Sequence, residues 1–277
     1  MNASFQQLCA KLAAAGVPDA RYDAAELYRF VTGRDPRLDT APTPAEAEKL
    51  AALAERRAAR EPLQYLLGEW DFYGMTLKVG PGVLCPRADT ETVCEAALQL
   101  LQGAANPTVY DLCAGTGCLG LAIAAQRPDA AVTCVEKSDA AWPYLTANAA
   151  GTPNLRTVQA DVFTFWQTLP QGGADLIISN PPYLTADEMA ALMPETAREP
   201  AMALDGGADG LDFYRLLTAH YQVALRPGGW LVLEIGWQQA DAVLALGAQF
   251  GWQNASCRKD YGGNDRAVLL QKSPLLG

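Results

Sequence analysis

The stretch TVYDLCAGTGCLG, Thr108–Gly120, decides the fold. Val109, Tyr110 and Leu112 make a short apolar run of strand type, and glycines at 115 and 117 end it just before an apolar helical segment. Gly115, Gly117 and Gly120 spell G-x-G-x-x-G. In a strand–turn–helix setting the first glycines allow a tight turn and close approach of a ligand to the backbone, beside the free N–H groups of a helix N-terminus. Glu136 ends the next apolar run, AVTCVEK, roughly 20 residues on, where a carboxylate grips ribose hydroxyls. A nucleoside ligand follows. A Walker-type phosphate site does not, because no Lys-Ser/Thr follows the glycines.

Working outward, strands and helices alternate. LRTVQAD (155–161) and ADLIISN (174–180) read as a third and a fourth strand. SDAAWPYLTANAA (138–150) reads as a helix with Pro143 near its first turn, and LDFYRLLTAHYQVAL (211–225) as another. GGWLVLEIG, a helix through AVLALGAQF, SCRKDYGG and RAVLLQK complete the pattern. Such alternation implies a doubly wound parallel sheet, and the last two strands, with no helix between them, an antiparallel edge pair. Before Ala88 the texture differs. Ala24, Leu27, Tyr28 and Val31 follow one helical face, and Thr43, Pro44 and Glu46 form a capping box with its proline. EWDFYGMTLKVGPG (69–82) alternates around Gly74 as a β-hairpin. The expected organisation is a helical domain over 1–66, a hairpin linker over 67–87 and an α/β domain over 88–277.

The chain has 277 residues, half of them hydrophobic, with 21 Lys+Arg against 31 Asp+Glu and a formal charge of −10. That balance disfavours a DNA-binding surface. Seven cysteines at irregular spacing, with no N-terminal apolar signal, fit free thiols in the cytoplasm. No apolar run reaches the ~20 residues of a membrane span. The single histidine, His220, removes His-based metal sites and Ser–His triads, and reads as structural. Cys113 and Cys118 read as packing residues, and Arg56–Arg60 as a solvated helix face. DGGADG (205–210) lacks the bidentate Glu of a calcium loop. No metal is expected.

Asp111, four residues before Gly115, suits a ligand with an ammonium group and no phosphate. Asp161 is placed for an adenine amino group, with Val162 and Phe163 against the ring. Three acids around one pocket disfavour a pyrophosphate and favour S-adenosylmethionine (AdoMet). The fourth strand ends in Asn180-Pro181-Pro182-Tyr183. The prolines hold Asn180 extended and leave mostly acceptors, its side-chain oxygen and the Pro181 carbonyl. Two fixed acceptors match a planar –NH2 group whose nitrogen is to be alkylated, and Tyr183 is expected to stack on it.

Together these motifs resemble the HemK/PrmC family, peptide chain release factor glutamine N5-methyltransferases. The resemblance runs over nearly the whole chain and is carried by EPLQYLLGEWDFYGMTLKVGPGVLCPRADTETV, DLCAGTGCLGLAIA, SNPPYL, REPAMALDGGADGLDFYRLL and LRPGGWLVLEIGWQQ. It implies a class I AdoMet-dependent methyltransferase fold of seven strands with a small helical N-terminal domain. The implied reaction methylates the glutamine of a Gly-Gly-Gln motif in class-1 release factors, giving S-adenosylhomocysteine. It assigns the substrate amide to Asn180 and Pro181, with Pro182 and Tyr183 lining the pocket and Arg87 and Glu199 on the substrate side. Ala114, Gly115, Thr116, Gly117 and Cys118 would cradle the methionine part, with Glu136 at the ribose and Asp161–Val162 at the adenine. Ala114–Gly117 and Ala88–Glu91 depart from the family's usual residues but keep the glycines and acids. A ribosomal-protein glutamine methyltransferase and a DNA adenine-N6 methyltransferase share the Asn-Pro-Pro-Tyr motif and stand as alternatives. A cytoplasmic monomer, free of DNA and membrane, is expected.

Overall fold

The computed structural model describes residues 3–37 and 41–274. Four helices open the chain: α1 (Ala3–Ala14), α2 (Ala20–Thr32), α3 (Pro44–Ala58) and α4 (Leu63–Leu67). At α3 the Thr43 hydroxyl accepts from the Glu46 N–H at 3.3 Å, and the Glu46 carboxylate accepts from the Thr43 N–H at 2.7 Å. Phe5, Leu12, Leu27, Tyr28, Leu53 and Leu63 give these helices a core of their own. The hairpin follows as β1 (Glu69–Phe72) and β2 (Met75–Lys78). Tyr73 and Gly74 both have positive φ, 50° and 75°, as a two-residue type I′ turn requires.

The α/β part contains α5 (Asp89–Leu100), β3 (Thr108–Leu112), α6 (Cys118–Gln126), β4 (Ala131–Glu136), α7 (Trp142–Ala149), β5 (Leu155–Gln159), α8 (Val162–Phe165) and β6 (Ala174–Ser179). It continues with α9 (Ala186–Ala190), α10 (Asp212–His220), β7 (Leu225–Glu234), α11 (Ala240–Gln249), β8 (Gln253–Lys259) and β9 (Asp265–Gln271). The sheet order is β5-β4-β3-β6-β7-β9-β8. The first five strands of that order are parallel, and β9 runs antiparallel to both neighbours. Two cores, one per face, enclose the sheet.

Three details differ from the sequence reading. The third strand ends at Gln159, because the Asp161 carboxylate accepts from the Phe163 N–H at 2.9 Å and starts a helix. Of the final pair only β8 lies at the edge, since β9 inserts between β7 and β8. The Arg56–Arg60 face is not solvated throughout. Arg57 is buried, donates to Asp23 at 2.6 Å and reaches Glu195 in the segment after α9 at 2.8 Å. Arg60 joins it on Glu195 at 2.6 Å. The first and fourth strands of the α/β part are neighbours, and the order reverses between β3 and β6. Ligands bind at such a switch point, beyond the carboxyl ends of the strands.

Candidate active site

A cavity of about 290 Å³ opens there. Its floor is the glycine loop. Gly117 N–H donates to the Ala114 carbonyl at 2.7 Å, closing a tight turn in which Gly115 and Gly117 have φ of 56° and 83°. The third glycine is needed for packing. A Cβ on Gly120 would stand 2.3 Å from Cys134 Sγ and 3.0 Å from Asp111 Oδ2, so α6 lies directly on β3 and β4. Thr116 and Cys118 line the same floor.

Four carboxylate residues line the cavity: Asp111, Glu136, Asp161 and Asp205. Asp111 is 1% exposed and accepts from the Gly120 N–H at 2.9 Å. Burial pushes its carboxyl up to about 7, against the Gly120 N–H that favours the anion. Glu136 accepts from the Gly115 N–H on one oxygen and the Ser138 N–H on the other, each at 2.7 Å, which fixes the carboxylate at the end of β4. Asp161 pairs with Lys137 at 2.8 Å. Val162 and Phe163 stand beside it, and Phe163 meets Phe213 edge-on with ring centroids 5.2 Å apart. The two cations at the wall, Arg87 and Lys137, are each paired with a carboxylate. Such a lining fits a ligand carrying net positive charge, with an apolar slot for a ring, and among the described residues leaves no free cation for a diphosphate. The residues present therefore fit AdoMet.

The far wall is the segment between hairpin and α5, Gly82 to Arg87. It is tied across the cavity. Glu199 is buried and accepts from the Cys85 N–H at 3.1 Å and from Arg87. Glu199 was expected on the substrate side. In the structure its carboxylate makes this internal tie, and Arg87, which also lines the cavity, shares in it.

Asn180 and Pro182 line the cavity, at the end of β6. The Asn180 Nδ2 donates to Thr90 Oγ1 at 3.4 Å, while its Oδ1 and the Pro181 carbonyl accept nothing among the described residues. Two acceptors are thus available beside each other. The segment is braced from behind. Gln239 Nε2 donates to the Tyr183 carbonyl at 2.9 Å, and a Cβ on Gly210 would stand 2.4 Å from that same oxygen. The Asp205–Gly210 loop therefore buttresses the motif, which explains its glycines. Tyr183 departs from expectation: it is absent from the cavity wall, and its ring packs within 3.5 Å of where a Gly236 Cβ would be. Burial, and Glu234 close by, push its phenol pKa up.

His220 stacks on Trp166 with ring centroids 4.5 Å apart, a packing role. Among the described residues no cluster of three or more His, Cys, Asp or Glu could hold a metal, and no helix is long and apolar enough to cross a membrane. Sequence reasoning missed Thr90, Ser138 and Glu234. An acid ending the apolar strand WLVLE, at the carboxyl edge of an α/β sheet, was the available signal for Glu234.

Comparison with known proteins adds to this geometry. The model of the PrmC N-terminal domain matches residues 4–68, and that of the methyltransferase small domain matches 74–207. The release factor glutamine methyltransferase of Geobacter sulfurreducens is 39% identical over 265 residues, 93% of this chain and 91% of that one. That of Cereibacter sphaeroides is 41% identical over 267 residues, 93% of each. Among solved structures, a methyltransferase from Pyrococcus furiosus aligns with a TM-score of 0.52 at 17% identity, over 73% of this chain and 91% of that one, which speaks to the fold alone.

Proposed function

The chain belongs to the release factor glutamine methyltransferase family, and we infer that it methylates the side-chain amide nitrogen of a glutamine in the Gly-Gly-Gln motif of class-1 release factors. AdoMet supplies an electrophilic methyl group on a sulfonium, together with the positive charge that the acidic pocket suits. In the transfer a carbon–nitrogen bond would form at the glutamine nitrogen as the carbon–sulfur bond breaks, and the nitrogen would release one proton to water. Asp111 would meet the ammonium group, Glu136 the ribose, and Val162 with Phe163 the ring.

An amide nitrogen is a weak nucleophile because its lone pair is delocalised into the carbonyl. Asn180 Oδ1 and the Pro181 carbonyl would each take one N–H of the glutamine amide. That orients the nitrogen toward the methyl and stabilises the positive charge it gains on alkylation. No base is required before attack, because the N-alkylated amide is acidic. The single observation that carries this reading is the pair of unpartnered acceptors on a braced segment, at the mouth of a cavity whose acids fit a cation.

The test is mass spectrometry of a release factor after incubation with the protein and AdoMet. One methyl on the Gly-Gly-Gln glutamine is expected. Asn180→Ala should slow that transfer about 10²–10³-fold, the effect of deleting one preorganised polar group. An unmodified glutamine, despite calorimetric binding of AdoMet, would move the target to another protein.

A further inference from the structure

The four N-terminal helices each close on left-handed backbone, three of them with glycine. Gly16, Gly33 and Gly68 follow α1, α2 and α4 with φ of 73°, 66° and 79°, whereas Arg60 follows α3 with φ of 65°. The Arg60 N–H donates to the Arg57 carbonyl at 2.9 Å and the Glu61 N–H to that of Arg56 at 3.2 Å. Glycine is the usual residue in such a closure, because a Cβ is strained there. A side chain kept against that strain points to a use beyond ending the helix.

The Arg60 guanidinium donates from Nε to Glu195 Oε1 and from Nη2 to Oε2, both at 2.6 Å. Glu195 lies 135 positions on, in an excursion that leaves the Asn-Pro-Pro-Tyr motif and returns to it. At its base the Tyr183 and Leu184 N–H groups donate to the Leu204 carbonyl at 3.1 and 2.8 Å, and the Gly206 N–H to that of Leu184 at 2.9 Å. On the way back it supplies Pro200, Met202 and Ala203 to the cavity wall. Among the described residues from 185 to 198 none is buried, so this stretch has no core to hold its shape. Polar ties hold it instead. Glu195 also accepts from Arg57 at 2.8 Å, and Arg198 Nη2 donates to the Ala59 carbonyl at 2.5 Å. Both ties end where α3 ends.

We propose that Arg60 and Glu195 are positioning residues, through which the end of α3 holds the substrate-side wall of the cavity in place before a release factor arrives. This rests on the reading of the Asn-Pro-Pro-Tyr motif as the seat of the glutamine amide. It makes the N-terminal helices a support of the active site. A wall ordered in advance spares the substrate the entropy of ordering it. Without the tie that cost falls on release factor binding, so KM rises while the complex, once formed, reacts at nearly the parent rate. The AdoMet side keeps its own bonds, such as Glu136 to the Gly115 N–H.

The experiment uses the full chain with AdoMet and a release factor. It reads kcat, KM for the release factor, the calorimetric Kd of AdoMet, and backbone hydrogen exchange by mass spectrometry. Arg60→Gly removes the guanidinium at a position that suits glycine, so the fold is kept. It should raise KM about tenfold and leave kcat and the AdoMet Kd within about threefold. Exchange should speed up over 186–198 and not over the glycine loop. Glu195→Ala should do the same. Combining the two should raise KM no further than Glu195→Ala alone, because both remove one tie. The parent's KM, or the parent's exchange over 186–198, in Arg60→Gly would overturn the proposal. Additive rises in the double variant would do so too, since Arg60 would then meet the release factor by itself. If the parent leaves the Gly-Gly-Gln glutamine unmethylated, the reading of the target falls, and exchange over 186–198 alone decides the tie.

Discussion

Replacing Asp111 by Asn should make the unliganded protein more stable and bind AdoMet less well. Asp111 is 1% exposed, and burial raises its carboxyl from 3.8 to about 7. Ionising it in the folded state is therefore opposed by about three pKa units, and at 1.36 kcal/mol per unit the upper bound is about 4 kcal/mol. The sign follows from proton linkage. Between pH 3.8 and about 7 the folded state holds a proton that the unfolded chain has released, so stability falls as pH rises and the penalty is complete above 7. Asn keeps an oxygen for the Gly120 N–H and carries no charge. In urea titrations at pH 8 without ligand, Asp111→Asn should gain up to about 4 kcal/mol over the parent. The gain should shrink toward zero near pH 4. AdoMet should reverse the order, because an ammonium group recovers the energy of an ionised Asp111 and not of an amide. By calorimetry the parent's Kd should weaken up to tenfold per unit below pH 7, and that of Asp111→Asn should stay flat. A parent Kd independent of pH from 5.5 to 8.5, or no gain in stability at pH 8, would refute the reasoning.

Two further substitutions probe packing and long-range ties. Gly120→Ala forces its methyl 2.3 Å from Cys134 Sγ, an overpacking cost of about 1–3 kcal/mol against about 1 kcal/mol of helix propensity gained. Adding Cys134→Ala removes the obstructing sulfur, so a double-mutant cycle by chemical denaturation should show a favourable coupling of at least about 1 kcal/mol; simple additivity would mean that α6 shifts instead. Arg57→Ala leaves Asp23 buried without its partner and should cost about 3–5 kcal/mol in the same assay; a loss under about 1 kcal/mol would mean that water replaces the guanidinium. Burial opposes ionisation of Glu195, yet Arg60 and Arg57 hold its carboxyl at about 2. The stabilisation from this tie should be complete above its unfolded value of 4.5 and fade only as pH falls toward 2, read as the acid midpoint of Glu195→Gln against the parent.

What could be read in the sequence was local. The glycine loop, the acid after β4, the Thr43 cap and the Tyr73-Gly74 turn each follow from residues within a few positions of one another. There the backbone's own requirements choose the residue type. The motif after β6 was legible for the same reason, since two prolines fix the conformation of the residue before them. What escaped depends on closure of the fold. Arg57 looked like part of a charged surface because nothing nearby in sequence shows that Asp23 and Glu195, the latter 138 positions away, meet on it. Glu199 looked available to a substrate because its partners, Cys85 and Arg87, lie over a hundred residues earlier. Tyr183 was adjacent in sequence, yet its side chain turns away toward Gly236 on the β7 side.

The same distinction bears on how the site works. The acceptors that meet the substrate are set by a tetrapeptide, but which end of the Asn180 amide they present is not. An amide looks nearly the same either way round, and only its hydrogen-bond partners distinguish the ends. Here that partner is Thr90, 90 residues earlier in the chain. Asn180→Asp, which keeps shape and acceptor, would exchange the donor that faces Thr90 for a negative charge. It should therefore disturb the site more than the loss of a single hydrogen bond would suggest.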